Sequence, residues 1–238
     1  AFIAYTVVSI WKGPVVVGVV LAILAAGAAG VLMEYVGFRK LRSAPHHSSL
    51  LVTIGFSIVF INVAQLIWGA ETRSFPRGLA PVHVEFLGLT FSSMQVIVYG
   101  LAVAILIALQ VVMKRTKLGR AIRATAQDHE AAYVMGVNIN RIYSFTFGLG
   151  SALGGLGGVL VGIYYNAVYP TMGAMMGLKA FSACILGGLS SVPGAFVAGV
   201  FLGVVENLSV AYVSSGYRHV FSFLILIIVL LIRPSGLF

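Results

Sequence analysis

From Pro14 to Phe38 the chain stays apolar, and Glu34 is the one charged side chain in that run. As a helix rising about 1.5 Å per residue, a run of this length spans the roughly 30 Å hydrocarbon core of a bilayer. Comparable runs recur at Leu50–Gly69, Met94–Met113, Ile142–Tyr165, Ala195–Val213 and Phe221–Ile232. Composition points the same way. Hydrophobic residues make up 60% of the chain and charged residues 9%, against about a quarter charged in a soluble domain. So few charges cannot cover a water-soluble globule, and lipid is the expected solvent. The chain is expected to be all-α, a polytopic transmembrane helical bundle forming a single domain over residues 1–238, with about eight spans or part-spans visible.

The first apolar run, Ala1–Trp11, is too short to span and reads as the end of a helix whose start is absent. The chain opens without Met inside that run, so N-terminal helices are expected to be missing. Lys and Arg give a net charge of +9, but they cluster between apolar runs. That is the bias of cytoplasmic loops in membrane proteins and argues against nucleic acid as a partner. Arg39, Lys40 and Arg42 place one loop inside. Lys114, Arg115, Lys117, Arg120 and Arg123 place the next basic loop inside as well. The region Ala70–Ser93, holding Glu71, Arg73, Pro76, Arg77, Pro81 and Glu85, is near neutral and falls outside. Pro170–Gly194 is either a short full crossing or a half-helix that dips in and returns. Lys179 within it calls for protein or water around it. For Arg233 to end inside, the stretch must cross once, and that reading is favoured. The single cysteine, Cys184, forbids an internal disulfide and is expected to be a small packing residue. The five histidines show no metal-ligand spacing, so no metal site is expected.

Glycine is abundant where helix is expected. Gly150, Gly154, Gly158 and Gly162 stand four apart and therefore line one helix face. Ala195, Gly199 and Gly203 repeat the pattern. In lipid, helices associate through close backbone approach, and a row of small residues makes a groove for a neighbour. These glycines are expected to serve helix packing. No GxGxxG and no GxxxxGK[ST] occurs, so the chain has no visible ATP site of its own.

The segment Lys114–Arg141 is too long for a turn and carries helix signals. Thr125 followed by Asp128 fits a weak N-cap pattern, and Ile122, Ala126, His129, Ala132 and Tyr133 allow one helical face. Gly136 suits the stop. A solvated basic loop near anionic headgroups is the plainer alternative. Against it stands the arrangement Glu130-Ala131-Ala132, three residues, then Gly136. It resembles the EAAxxxG motif in the cytoplasmic loop of ABC importer permeases, where a short helix docks in a groove of the ATPase subunit. Two alanines permit close approach, the glutamate offers a charge and glycine ends the helix.

The wider text, GRAIRATAQDHEAAYVMGVNINRI, GLKAFSACILGGLSSVPGAFVAGVFLGVVENL and the terminal LLIRPSGLF, resembles the branched-chain amino acid (Leu/Ile/Val) ABC transporter permeases, their H-type subunit. The resemblance covers essentially the whole chain. It implies alternating access in a heteromer of two related permeases with two ATP-binding subunits and an extracytoplasmic substrate-binding protein, in the bacterial cytoplasmic (inner) membrane. This chain would bind no cofactor, ATP being used by the partner subunits, and would perform no bond chemistry. The coupling role falls on Glu130, Ala131, Ala132 and Gly136, with Arg120 and Arg123 flanking, in a cytoplasmic loop at 114–141. The general motif continues to I-x-L-P, whereas Thr146, Phe147 and Gly148 occupy that stretch here, a departure that the branched-chain branch shares.

The remaining polar residues are weighed individually. Glu34 suits a local ion pair with Arg39 or Lys40. Asn62 and Gln65 need partners inside their span, and bonding between helices is expected. Lys179, Glu206 and Asn207 are the candidate pathway residues, with a structural pair between Glu206 and Arg218 as the alternative. Rival functions are a urea or short-amide ABC permease, an ion-coupled secondary transporter using Lys179 and Glu206, and an embedded assembly subunit without a pathway. The choice of substrate, and whether 170–194 crosses, are not fixed at this level.

Overall fold

The computed structural model describes residues 1–41, 46–75, 83–86, 89–212, 214–233 and 236, with the side chains of 46–50, 83–86, 89–93, 215, 218 and 219 left aside. Ten α-helices follow one another among these residues: α1 (Phe2–Tyr5), α2 (Val15–Met33), α3 (His46–Trp68), α4 (Ser93–Arg115), α5 (Lys117–Gln127), α6 (His129–Val134), α7 (Ile139–Tyr164), α8 (Met172–Gly187), α9 (Val192–Tyr212) and α10 (Arg218–Ile232). Wider π-helical turns continue α1 over Thr6–Ile10 and α2 over Glu34–Phe38. Five stretches are long and apolar enough to cross a membrane: Val15–Phe38, Leu51–Trp68, Met94–Arg115, Ile139–Tyr164 and Val192–Tyr212. The polytopic helical class inferred from composition is therefore the class observed. One short antiparallel hairpin interrupts it, β1 (His83–Phe86) against β2 (Leu89–Ser92), with His83 opposite Ser92 and Phe86 opposite Leu89. It lies in the near-neutral region read as a loop. Arg42, Arg77 and Pro81, together with the side chains of Glu85 and Arg218, lie outside the described residues.

Two compact units form, one from residues 1–101 and 112–171, the other from 102–111 and 172–238. In the first, α2 packs along α7, and close approach makes the contact possible. A methyl group on Gly30 would stand 2.6 Å from the carbonyl oxygen of Phe147 and overlap Ser151. One on Gly155 would stand 2.5 Å from the Ala26 Cβ, and one on Gly148 would stand 2.9 Å from the Val31 side chain. The face of α7 turned to α2 is thus Gly148, Ser151 and Gly155, three and four residues apart. Gly150, Gly154 and Gly158 point elsewhere, and a methyl group on any of them would meet nothing within 4 Å. Among the described residues, therefore, Gly150, Gly154 and Gly158 seat no neighbour. Gly162 alone of that row is in contact, with Val168 beyond the end of α7.

That end is a tight reversal. The Ala167 N–H donates to the Gly162 carbonyl at 3.1 Å and the Asn166 N–H to the Ile163 carbonyl at 3.2 Å, with Asn166 at φ +50°. This pair of bonds satisfies carbonyls the helix would otherwise leave open. Val168 then pairs with Arg73 through two backbone bonds of 2.8 and 2.9 Å.

In the second unit α8, α9 and α10 enclose a small apolar core of Ala183, Leu186, Ala198 and Leu202, with Ile225 and Val229 against it. Gly187 and Gly194 touch backbone to backbone where α8 turns into α9, and Gly188 takes φ +89° there. Gly199 faces Ala183 across the helix pair, its added methyl 3.7 Å away. At 16 residues, α8 rises only about 24 Å, short of a full hydrocarbon core. Cys184, read as a packing residue, is exposed within the chain.

Candidate functional site

The basic segment builds a small platform of helices in the first unit. Lys114 and Arg115 close α4, where cations suit the negative end of the helix dipole. Thr116 takes an extended backbone and its hydroxyl accepts from the Gly119 N–H at 3.0 Å, starting α5 immediately. Gly119 is buried against the end of α4, and a methyl group there would overlap the carbonyl oxygens of Val112 and Met113. The Arg123 guanidinium donates to the Met113 carbonyl. Arg123 thus ties α5 to the end of α4, while Arg120 stays exposed.

The N-cap reading from sequence needs correction. Thr125 is buried inside α5 and donates to its own helix at Ala121. Asp128 is the cap: its extended backbone, φ −148° and ψ 112°, ends α5, and its carboxylate accepts from the Ala131 N–H at 2.9 Å. The face drawn from Ile122 to Tyr133 is therefore divided between two helices, because Asp128 cannot be helical and cap at once. Gly136 stops α6 as expected. It sits at φ +82° and donates to the Tyr133 carbonyl at 3.0 Å, while the Val137 N–H reaches the Ala132 carbonyl at 3.0 Å.

Six residues capped at both ends leave Glu130, Ala131, Tyr133, Val134 and Met135 exposed, with Ala132 buried inward. Val134 and Met135 are 82% and 84% exposed. Beside α6, a hollow of about 150 Å³ opens between α5 and α7, lined by Ile122, Thr125, Ala126, Ile142, Tyr143 and Thr146. The ring of His129 meets that of Tyr143 edge to face at 6.2 Å. This is an apolar knob with one carboxylate, beside a shallow groove.

The second cluster lies in the other unit. Lys179 on α8 and Glu206 on α9 form an ion pair of 2.7 Å, with 26% and 12% of the two side chains exposed. The Ser222 hydroxyl on α10 donates to the second carboxylate oxygen at 2.8 Å. Three helices thus converge on one carboxylate. Lys179 and Glu206 were singled out separately in the sequence, and the fold brings them together. Asn207 turns away and donates to the Gly203 carbonyl of its own helix at 2.9 Å. Ser222 was missed; a lone hydroxyl within the apolar run of α10 was the available signal.

Glu34 is fully buried, and the Ser144 hydroxyl on α7 donates to it at 2.6 Å, a contact across helices that spacing along the chain does not reveal. Its neighbour Arg39 lies over the Tyr35 ring, 5.2 Å from the centroid. Asn62 donates to the Ile58 carbonyl of its own helix at 2.8 Å, where a bond between helices was expected, and among the described residues it makes none to another helix.

Comparison with known proteins now decides the family. The family model described as the branched-chain amino acid transport system permease component matches residues 1–230. The chain belongs to this family. It is 37% identical over 227 residues to the high-affinity branched-chain amino acid transport system permease protein LivH of Escherichia coli (strain K12), covering 94% of this chain and 74% of that protein. It is 34% identical over 221 residues to BraD of Pseudomonas aeruginosa, a permease protein of the same description, covering 91% and 72%. A weaker likeness, 28% over 127 residues, reaches the ribose import permease protein RbsC of Escherichia coli, covering 50% and 40%. No solved structure matches the chain. This branched-chain permease is thus a transport component with several helices long and apolar enough to cross a membrane.

Proposed function

We propose that this chain is the membrane-spanning permease subunit of an ATP-driven importer of branched-chain amino acids in the bacterial cytoplasmic membrane. Two ATP-binding subunits, a second related permease and an extracytoplasmic substrate-binding protein complete the assembly. The chain itself carries out no bond chemistry.

The observation that carries this reading is α6. Its six residues are capped at both ends, seated through Ala132, and bare on the outward side from Tyr133 to Met135. A knob this short transmits a push without bending. Its glutamate offers a charge to a basic groove, and its exposed apolar tip offers surface to bury. Movement of a gripped α6 reaches α7 directly and α4 through α5, so closure of the ATP-binding subunits tilts both helices and switches access.

The test is uptake by proteoliposomes holding the purified assembly. Leucine should accumulate with ATP enclosed and stop when ATP is depleted under a maintained proton gradient. Continued accumulation would favour ion coupling through the Lys179–Glu206 pair. Glu130→Lys should abolish both uptake and co-purification of the ATP-binding subunits while the chain still inserts, and normal uptake by that variant would reject the coupling role.

A further inference from the structure

Between α8, α9 and α10 of the second unit lies a cavity of about 200 Å³. At roughly 30 Å³ of liquid volume per water, that is the space of six or seven waters, the scale of one small metabolite. Close packing alone would not leave it. Helix interiors fill to crystal-like density, and a side chain in this space would add contacts and bury apolar surface. Yet Gly203 lines it, and a methyl group added there would meet nothing within 4 Å. Gly203 was expected to seat a neighbouring helix; among the described residues it lines this cavity.

The lining has two chemical ends. Lys179, Glu206 and Ser222 stand at one, joined by the 2.7 Å ion pair and the 2.8 Å hydroxyl bond. Leu202 and Phe223 supply apolar wall elsewhere. Burying two opposite charges beside a hollow is costly unless each is matched, and charges placed within apolar helices face cavities or pathways as a rule.

We propose that this cavity holds an aliphatic amino acid as its zwitterion. The ligand's carboxylate replaces Glu206 as the acceptor for the Lys179 ammonium, its ammonium donates to Glu206, and its side chain lies against Leu202 and Phe223. Ser222 holds the second oxygen of Glu206 in place when Lys179 lets go. The pair and the ligand each carry zero net charge, so four charges alternate in sign and none is left buried without an opposite neighbour. A molecule lacking either charged end leaves one protein charge unmatched, which such a site rejects strongly. The assignment of an amino acid rests on the transport reading above. It also gives the ion pair a task other than ion coupling.

The experiment uses the purified permease and ATPase assembly in lipid nanodiscs without the substrate-binding protein, with tritiated leucine as the probe. The expected result is saturable binding that unlabelled leucine displaces. Leucine methyl ester, which lacks the carboxylate, and the corresponding 2-oxo acid, which lacks the ammonium, should each compete at least about tenfold more weakly. K179M/E206Q removes both charges together and so strands neither. It should keep the wild-type unfolding temperature and bind leucine at least tenfold more weakly, and Gly203→Leu should do the same by filling the space. Wild-type affinity in either folded variant, equal competition by the ester or the oxo acid, or no saturable binding by the wild type would each overturn the proposal. If both variants misfold, the competition series on the wild type still decides. Failure of the transport reading looks different: no ATP-dependent leucine uptake once the binding protein is restored.

Discussion

Asp128 and Gly136 show how far single residues set the shape of α6. The aspartate must leave the helical region to turn its carboxylate onto the Ala131 N–H, and in doing so it separates α5 from α6. The glycine must take φ +82°, which costs other residues about 1–2 kcal/mol. Removing such a cap from Asp to Ala costs about 1 kcal/mol, or about fivefold in an opening equilibrium. Asp128→Ala should therefore speed amide exchange across His129–Val134 by about fivefold while exchange within α7 stays unchanged. Unaltered exchange in α6 would show that docking against α5 and α7, and not the cap, holds it. Gly119 belongs at this scale too: the backbone carbonyls of Val112 and Met113 occupy the space of any side chain. Nothing in the spacing of glycines marked it out, because the constraint comes from the end of the preceding helix.

Among the elements, α2 and α7 carry the clearest lesson about helix association in lipid. Water cannot drive the two together there, so close contact between small residues must. The regular row Gly150, Gly154 and Gly158 suggested the contact face, but Gly30, Gly148, Ser151 and Gly155 make it. Small residues are scattered over all of α7, and period alone could not choose among its faces. Gly30→Val should force Ser151 and the Phe147 carbonyl apart and lower the unfolding temperature of the detergent-solubilised chain, an overpacking cost of about 1–3 kcal/mol. Gly154→Leu should leave that temperature unchanged, since its added side chain meets open space. It should instead reduce recovery of the assembled transporter if the row seats another subunit. Equal effects of the two changes on the isolated chain would contradict the assignment of faces.

The molecule as a whole exposes far more apolar surface than its own contacts cover. None of the apolar window in Leu51–Trp68 or in Met94–Arg115 is buried among the described residues, and just 28% of that in Val192–Tyr212 is. Lipid or neighbouring chains must cover these helices. In the proposed assembly, a second, related permease should accordingly raise the unfolding temperature of this chain above that of the chain alone in the same detergent. A shift within error would mean that lipid, not protein, is what these helices face.

Chain-level order follows from the sequence itself. Long apolar runs must be helical where backbone groups find no partners in lipid, so the positions of α2, α3, α4, α7 and α9 were legible within a few residues. Gly136 was legible as a helix stop, because φ above zero and a missing side chain are local properties. Tertiary structure alone decided which charges meet and which faces touch. Lys179, Glu206 and Ser222 sit on three different helices, and Glu34 and Ser144 on two that are 110 residues apart. Such meetings depend on how each helix is rotated about its axis. In a segment apolar on every side, no stripe of polar residues records that rotation, so it emerges only when backbones pack.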